Sequence, residues 1–342
     1  MAYFLKVPRS EGEKMRIFLS SISLLDTSTA IESNLNYVYL PLLSSKKRIP
    51  LHYPIVKFAG RKINKKPRNI YEALKNTLSK KELSSLVKSF DIIGDVAVLE
   101  IPDSLKKHEK AISKAVMAVH PNIKCVVKKM SGMEGDFRVR KIKVIGGRRR
   151  TQTSYKESGV RMFVDISKMY FSVRLATERK RIASLVGANE NILVFFSGCC
   201  PFPLIISKFN PTCNIVAIEL NQAAHNYALK NIALNKMRNI TAILGDVREV
   251  VPKNYSNFAD RIVMPLPKGG ENFLDVAFLG ARKGCVVHFY AFGPKENPYK
   301  KALEAINKTA KMLNKTIRIL NKKVVRPYAP GIVQAVIDFK IL

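Results

Sequence analysis

Three short segments carry residue types and spacings suited to holding a nucleoside. The first, VFFSGCCPF (194–202), reads as a strand-to-helix junction. Ser197, Gly198 and Cys200 are small enough there for a ligand to approach the backbone. Gly198 is its single glycine, and a tight structural turn explains it equally well. The second, AIELN, ends a strand on Glu219, about 20 residues after the glycine turn. A carboxylate there can accept from both hydroxyls of a ribose. It can equally be an acidic group at a helix N-terminus, favoured by the dipole. In the third, ILGDVREV, Asp246 can accept from an adenine amino group while Val247 offers its backbone, or Asp246 can simply cap a helix. Three such junctions at successive strand ends are far more specific than any one of them.

A fourth junction, VMPLPKGG (263–270), places Pro265 and Pro267 at a strand end. Two prolines stiffen the backbone and remove two N–H donors. Such a loop can present carbonyls to a substrate base, or it can be a plain structural stop. Upstream, YFSVRLATER (170–179) sets Arg174, Glu178 and Arg179 on neighbouring helical faces. The pairing is either a surface salt bridge of small value or an active-site acid with its partner. GGRRRTQTSYKESG (146–159) reads as a loop rich in turn residues. Its Arg148, Arg149 and Arg150 are either solvated or phosphate contacts.

These residues need a scaffold of strands alternating with helices, and the chain supplies one. NILVFF, NIVAIEL, ITAILG, RIVMPL and CVVHFYAF read as strands, with helices between them. That order implies a parallel, doubly wound α/β sheet of Rossmann-like type. TIRILNKKVVRPYA and GIVQAVIDFKIL add an antiparallel hairpin on one edge. Before this domain (149–342), residues 69–148 read as a small basic α+β unit ordered helix, strand, helix, strand, strand. Residues 1–60 form a first small domain with a helix over Glu11–Ser21 and the strand NYVYLPLL. The run VKFAGRKINKKPR (56–68) reads as an exposed basic linker.

The composition narrows the partner. Lys plus Arg number 59 against 26 Asp plus Glu, a formal charge of +33 over 342 residues. So basic a balance points to a polyanion, nucleic acid before anionic membrane. No apolar run approaches the ~18 residues of a spanning helix, and the N-terminus has no signal-peptide pattern. The five cysteines lie in apolar contexts, which fits reduced, buried thiols in a cytoplasmic protein. No Cys/His spacing suits zinc, and no metal is expected.

LKVPRSEGEKMRIFLSSISLLD, FRVRKIKV, YFSVRLATER, FSGCCPF, LKNIALN, GDVREV and MPLPKGGENFLDVA occur in this order across nearly the whole chain. Together they resemble the archaeal and eukaryal type of tRNA (guanine-37-N1)-methyltransferase. The resemblance implies a Rossmann-like methyltransferase domain of class I, preceded by two small α+β RNA-binding domains. It implies S-adenosylmethionine as methyl donor and tRNA as partner. The first domain would contact the outer corner of the tRNA, and no DNA or membrane partner is expected. It further implies that Arg179, Glu219, Leu220, Asp246, Val247 and Pro265 surround the cofactor, along the turn that holds Ser197, Gly198 and Cys200. Arg138, Tyr170 and Glu178 would surround the target guanine. Guanine N1 carries a proton at neutral pH, so Glu178 is the candidate general base. Arg138 would stabilise charge on the exocyclic oxygen, and Tyr170 would help hold a flipped base. Three domains wrapping one tRNA need no symmetry, so a monomer is expected.

Three positions depart from the family pattern. Cys200 stands for a second glycine, Val194 for an acidic residue, and Pro265 for the Asn of an Asn-Leu-Pro motif. A proline there is similar to the archaeal subgroup linked to wyosine biosynthesis, whose members also methylate a ring carbon of 4-demethylwyosine to give isowyosine. The loop is therefore expected to admit a larger base. The alternatives are a wybutosine-pathway aminocarboxypropyl transferase, whose expected Asn-Pro-Pro-Tyr loop is missing here, and a non-catalytic tRNA-binding protein.

Overall fold

The N-terminal AYFLKVP alternates inward and outward residues and forms β1 (Ala2–Pro8), a strand the sequence reading did not anticipate. The computed structural model describes residues 1–44, 52–63, 67–87, 89–132 and 139–342. They fall into two units, Met1–Ala73 and Leu74–Leu342. In the first unit, β2 (Glu32–Ser33), β3 (Tyr37–Leu42) and β4 (Ile55–Phe58) join β1 in a sheet ordered β2-β3-β1-β4. The helix α1 (Gly12–Ser21) buries Met15 and Leu19 against Leu5, Val7, Leu40 and Leu42.

The expected linker 56–68 is corrected here. Val56 pairs with Phe4 in the sheet, Phe58 stacks on Phe4 with ring centroids 4.1 Å apart, and the Arg61 carbonyl accepts from the Ala30 N–H at 2.7 Å. The Lys and Arg count obscured a period-two strand whose charged residues face outward. Residues 64–66 of that run lie outside the described residues.

Two helices expected over 70–78 and 80–90 are shorter, α2 (Ile70–Leu74) and α3 (Lys80–Ser84). Then comes a small sheet ordered β5 (Asp91–Ile93), β6 (Val96–Leu99), β7 (Cys125–Lys129), β8 (Ile142–Gly147), covered by α4 (Glu109–Val119). The supposed loop 146–159 is also corrected. Gln152–Glu157 is β9, antiparallel to β10 (Val160–Asp165). Ser158 and Gly159 close the hairpin with φ of +48° and +80°, the geometry that suits a two-residue turn between twisted strands.

The main sheet holds β11 (Asn191–Val194), β12 (Asn214–Glu219), β13 (Ile240–Leu244), β14 (Ala259–Met264), β15 (Ala281–Pro294), β16 (Ile317–Ala329) and β17 (Ile332–Ile341). Its order is β13-β12-β11-β14-β15-β17-β16, parallel as far as β15 and antiparallel thereafter. Successive strand residues point to opposite faces, and both faces are covered. One face carries α5 (Ala176–Leu185), α6 (Pro201–Phe209) and α7 (Gln222–Leu234). The other carries α8 (Val247–Asn254), α9 (Leu274–Gly280) and α10 (Lys300–Met312). The first core continues through β9 and β10 into β6 and β7 (Val164, Met162, Val96, Cys125), so the small sheet shares it.

Candidate active site

The chain order reverses between β11, which is followed by β12 on one side, and β14 on the other. Ligands of open α/β sheets bind at the carboxyl edge of such a reversal. Here the backbone after β11 turns sharply, with φ of +51° at Phe196, +58° at Gly198 and +66° at Cys200. That turn is tied to the next two junctions. The Gly198 N–H donates to Glu219 Oε2 at 2.6 Å, and the Asn221 N–H donates to Oε1 at 2.8 Å. The Gly245 N–H donates to the Glu219 carbonyl at 3.0 Å. Burial pushes the Glu219 carboxyl above the ordinary range, although the N–H groups of Asn221, Gly198 and Leu220 pull the other way.

Two observations leave room for a ligand at this turn. Ser197 Oγ is buried and has no hydrogen-bond partner among the described residues. A Cβ placed on Gly198 would meet nothing nearer than the Tyr170 carbonyl at 4.0 Å. Both suit a polar nucleoside lying against the backbone beside Glu219. Leu220 is half exposed next to it, Val247 is buried in the first turn of α8, and Asp246 caps that helix by accepting from the Arg248 N–H at 2.8 Å.

Asn231 is a site residue that sequence reasoning missed. It is fully buried in α7, accepts from the Phe163 N–H at 2.6 Å, and donates to the Phe163 and Cys199 carbonyls at 3.0 and 3.1 Å. It thereby pins β10 to the glycine turn. Its signal was an Asn in the middle of a helical pattern, where Asn is otherwise unfavourable.

The expected grouping of Arg174, Glu178 and Arg179 is not made. Arg174 pairs with Asp91 at 2.7 Å, and Arg179 makes two bonds to Glu157 and a third to the Ser172 carbonyl. Glu178 is no surface residue. It is buried, accepts from the Tyr290 hydroxyl at 2.7 Å, and takes Arg181 on both oxygens at 2.7–3.0 Å. The reason is helical geometry: Arg181, three residues on, lies over the same turn. Arg181 also reaches Asp338 at 2.7 Å, Asp338 meets His288 Nδ1 at 2.7 Å, and His288 Nε2 meets Arg261 at 2.8 Å. Arginine can only donate, so Nε2 accepts and Nδ1 carries the proton.

Met264 pairs with Phe289, which sets Tyr290, and with it Glu178, beside Pro265 at the carboxyl edge. The proline loop does not offer both its carbonyls: that of Pro267 accepts from the Phe292 N–H at 3.0 Å. Tyr170 is half-buried, its hydroxyl 3.5 Å from Arg326. Arg138 lies outside the described residues.

Residues 153–320 match the TRM5/TYW2 methyltransferase domain, 70–151 the TYW2 N-terminal domain, and 5–49 the tRNA methyltransferase 5 N-terminal domain. Along its full length the chain is 36% identical to a Pyrococcus abyssi protein, covering 99% of it: tRNA (guanine(37)-N(1))-methyltransferase Trm5b. The chain belongs to the TRM5/TYW2 methyltransferase family. A second TRM5/TYW2 relative is the Nanoarchaeum equitans tRNA (guanine(37)-N(1))/4-demethylwyosine(37)-methyltransferase Taw22. It is 31% identical over 64% of this chain and 89% of its own. The solved complex of aTrm5 and tRNALeu superimposes with a TM-score of 0.84 at 33% identity, covering 99% of both chains. The TRM5/TYW2 methyltransferase match begins in β9 and ends within β16.

Proposed function

We propose that this chain transfers the methyl group of S-adenosylmethionine to N1 of guanosine 37 in tRNA. The observation that carries the reading is the Gly198–Glu219–Asn221 linkage, with Ser197 Oγ unpartnered beside it, at the carboxyl edge of the sheet. Full-length similarity to a tRNA guanine-37 N1-methyltransferase supports the substrate. When bound, S-adenosylmethionine supplies an electrophilic methyl group. Glu219 would hold its ribose, with Gly198 and Ser197 against the same nucleoside, Asp246 and Val247 at the adenine, and Leu220 against its exposed face.

Guanine N1 must lose its proton as the methyl carbon bonds to it. Glu178 is the carboxylate proposed to accept that proton. The Tyr290 hydroxyl already sits on Oε1, so Oε2 is the oxygen left for it, with Arg181 Nε at 3.0 Å and Lys323 at 3.9 Å. Tyr170 and Pro265 would flank the base, and Arg138 would meet its exocyclic oxygen. Arg179, held by Glu157, would act through the Ser172 carbonyl on the segment carrying Tyr170. Lys6 over the Tyr37 ring at 4.0 Å and Lys57 over Tyr3 at 5.2 Å fit a first unit that touches RNA. One chain serves one tRNA in this reading.

A second activity, carbon methylation of 4-demethylwyosine, is favoured by Pro265, which removes the amide that would confine the pocket to guanine. The similarity to Taw22 points the same way. Nucleoside mass analysis after incubation with S-adenosylmethionine tests both readings, on one tRNA bearing guanosine 37 and one bearing 4-demethylwyosine. Methyl transfer to guanosine alone removes the second reading, and transfer to neither removes both. Pro265→Asn should lower the isowyosine product relative to 1-methylguanosine, and an unchanged ratio would count against the loop as the determinant.

A further inference from the structure

On the outer face of the β9–β10 hairpin, Lys156 and Arg161 are direct cross-strand partners. Like charges at such positions destabilise a hairpin. Among the described residues neither side chain has a carboxylate partner, and both are exposed. The next pair along the same face is Phe163 opposite Ser154, with the Phe163 ring 41% exposed. Two strand residues separate the pairs, about 7 Å.

These pairs form one wall of a groove of about 880 Å³. The opposite wall includes Ile92, Asn122 and Arg150. Its floor is rigid. Gly94, at φ +58°, approaches β9 so closely that a Cβ would lie 2.2 Å from Thr153 Oγ1. Asp95 accepts from Thr153 Oγ1 at 2.8 Å and is paired with Arg150. The one carboxylate of the groove is thus already neutralised, and Lys156 and Arg161 are left in excess.

We propose that this groove is a docking site for the sugar–phosphate backbone of the tRNA, separate from the methyl-transfer centre. A phosphate is bracketed by Lys156 and Arg161, and an adjoining ribose or base lies on Phe163. A bound anion would relieve the repulsion that the register imposes, and the exposed ring supplies a stacking surface. The partner's identity rests on the proposed tRNA substrate, while the anion site rests on the hairpin itself.

The test is the double variant K156A/R161A, compared with K308A/K311A, which removes the same charge from the exposed face of α10. For the groove variant, KM for tRNA should rise about ten-fold. The slope of log(kcat/KM) against log salt should become shallower by roughly 1.4–1.8, for two lost phosphate contacts. K308A/K311A should change neither, and K156R/R161K should restore the wild-type slope. F163A should raise KM and leave the slope unaltered. Equal effects from both double variants, or none from the groove variant, would overturn the site. If the wild type methylates no tRNA, the same variants are compared by direct binding to a tRNA transcript. A slope lost only in the groove variant then supports the anion site while the proposed reaction falls.

Discussion

Arg179 and Glu157 form a two-bond ion pair at 2.7 and 2.5 Å, with side chains only 1% and 5% exposed. Removing one member would strand the other charge without water. Arg179→Met is therefore expected to cost about 3–5 kcal/mol of stability. Arg179→Met combined with Glu157→Leu should recover most of it. Denaturant titration of both variants reads the difference, and equal losses would show that packing, not charge, holds this corner.

At Gly198 the backbone is left-handed and the space ahead of it is open. Gly198→Ala should cost about 1–2 kcal/mol from the conformation. Its larger effect should fall on the cofactor, because the new methyl occupies the space assigned to the nucleoside. Thermal unfolding with and without S-adenosylmethionine should show the ligand-dependent shift largely abolished. A full-sized shift would move the cofactor away from this turn.

Burial raises the carboxyl of Glu219. Its ionised form is the one that accepts from ribose hydroxyls, so cofactor affinity should be highest above that raised value and fall as pH drops through it. Calorimetric titration between pH 8 and 5 checks the sign. Glu219→Gln should bind about 10–100-fold more weakly and lose the acid-side decline.

His288 is held neutral, since burial lowers its value against the opposing pull of Asp338. Its contribution is present above the ordinary histidine range, about pH 6.5, and is lost as pH falls toward its lowered folded value. Burial alone would raise Asp338, but His288 and Arg181 outweigh it and hold its carboxyl well below the ordinary range. Its contribution is present above about pH 4 and lost on further acidification. Both act in one direction, so stability should decline in steps below pH 6.5. His288→Gln should flatten the upper step and leave the lower one.

In the first unit, Asp26 accepts from the Ser28 N–H and hydroxyl and from Thr29. Although burial opposes them, these bonds and Lys62 lower its carboxyl to about 2. Asp26→Asn should reduce stability at neutral pH and remove the part of the acid transition between pH 4 and 2. Unfolding followed at the tyrosines of this unit would detect it, and an unchanged acid limb would assign that transition elsewhere.

The parallel sheet was legible because each of its strands is an apolar run bounded by a helical period. Gly198, Glu219 and Asp246 were legible because strand ends of one sheet necessarily share an edge. The partners of Glu178 were not, since Tyr290 and the Asp338 that anchors Arg181 come from 112 and 157 residues away. A charge at an inward position of a strand, as at Asp338, was the available signal. β4 and β9 were hidden for a different reason: their outward residues are basic or turn-forming, and composition outweighed alternation.

The placement of β17 between β15 and β16 has a consequence for biosynthesis. β16 emerges from the ribosome first but has no strand to pair with until residues beyond 332 have followed it. Until then β15 presents an open edge, and Arg181 lacks the carboxylate of Asp338. Closure of the catalytic domain is therefore a late event that cannot proceed strand by strand behind the ribosome, and the nascent chain has a window in which a chaperone guarding strand edges would be of use.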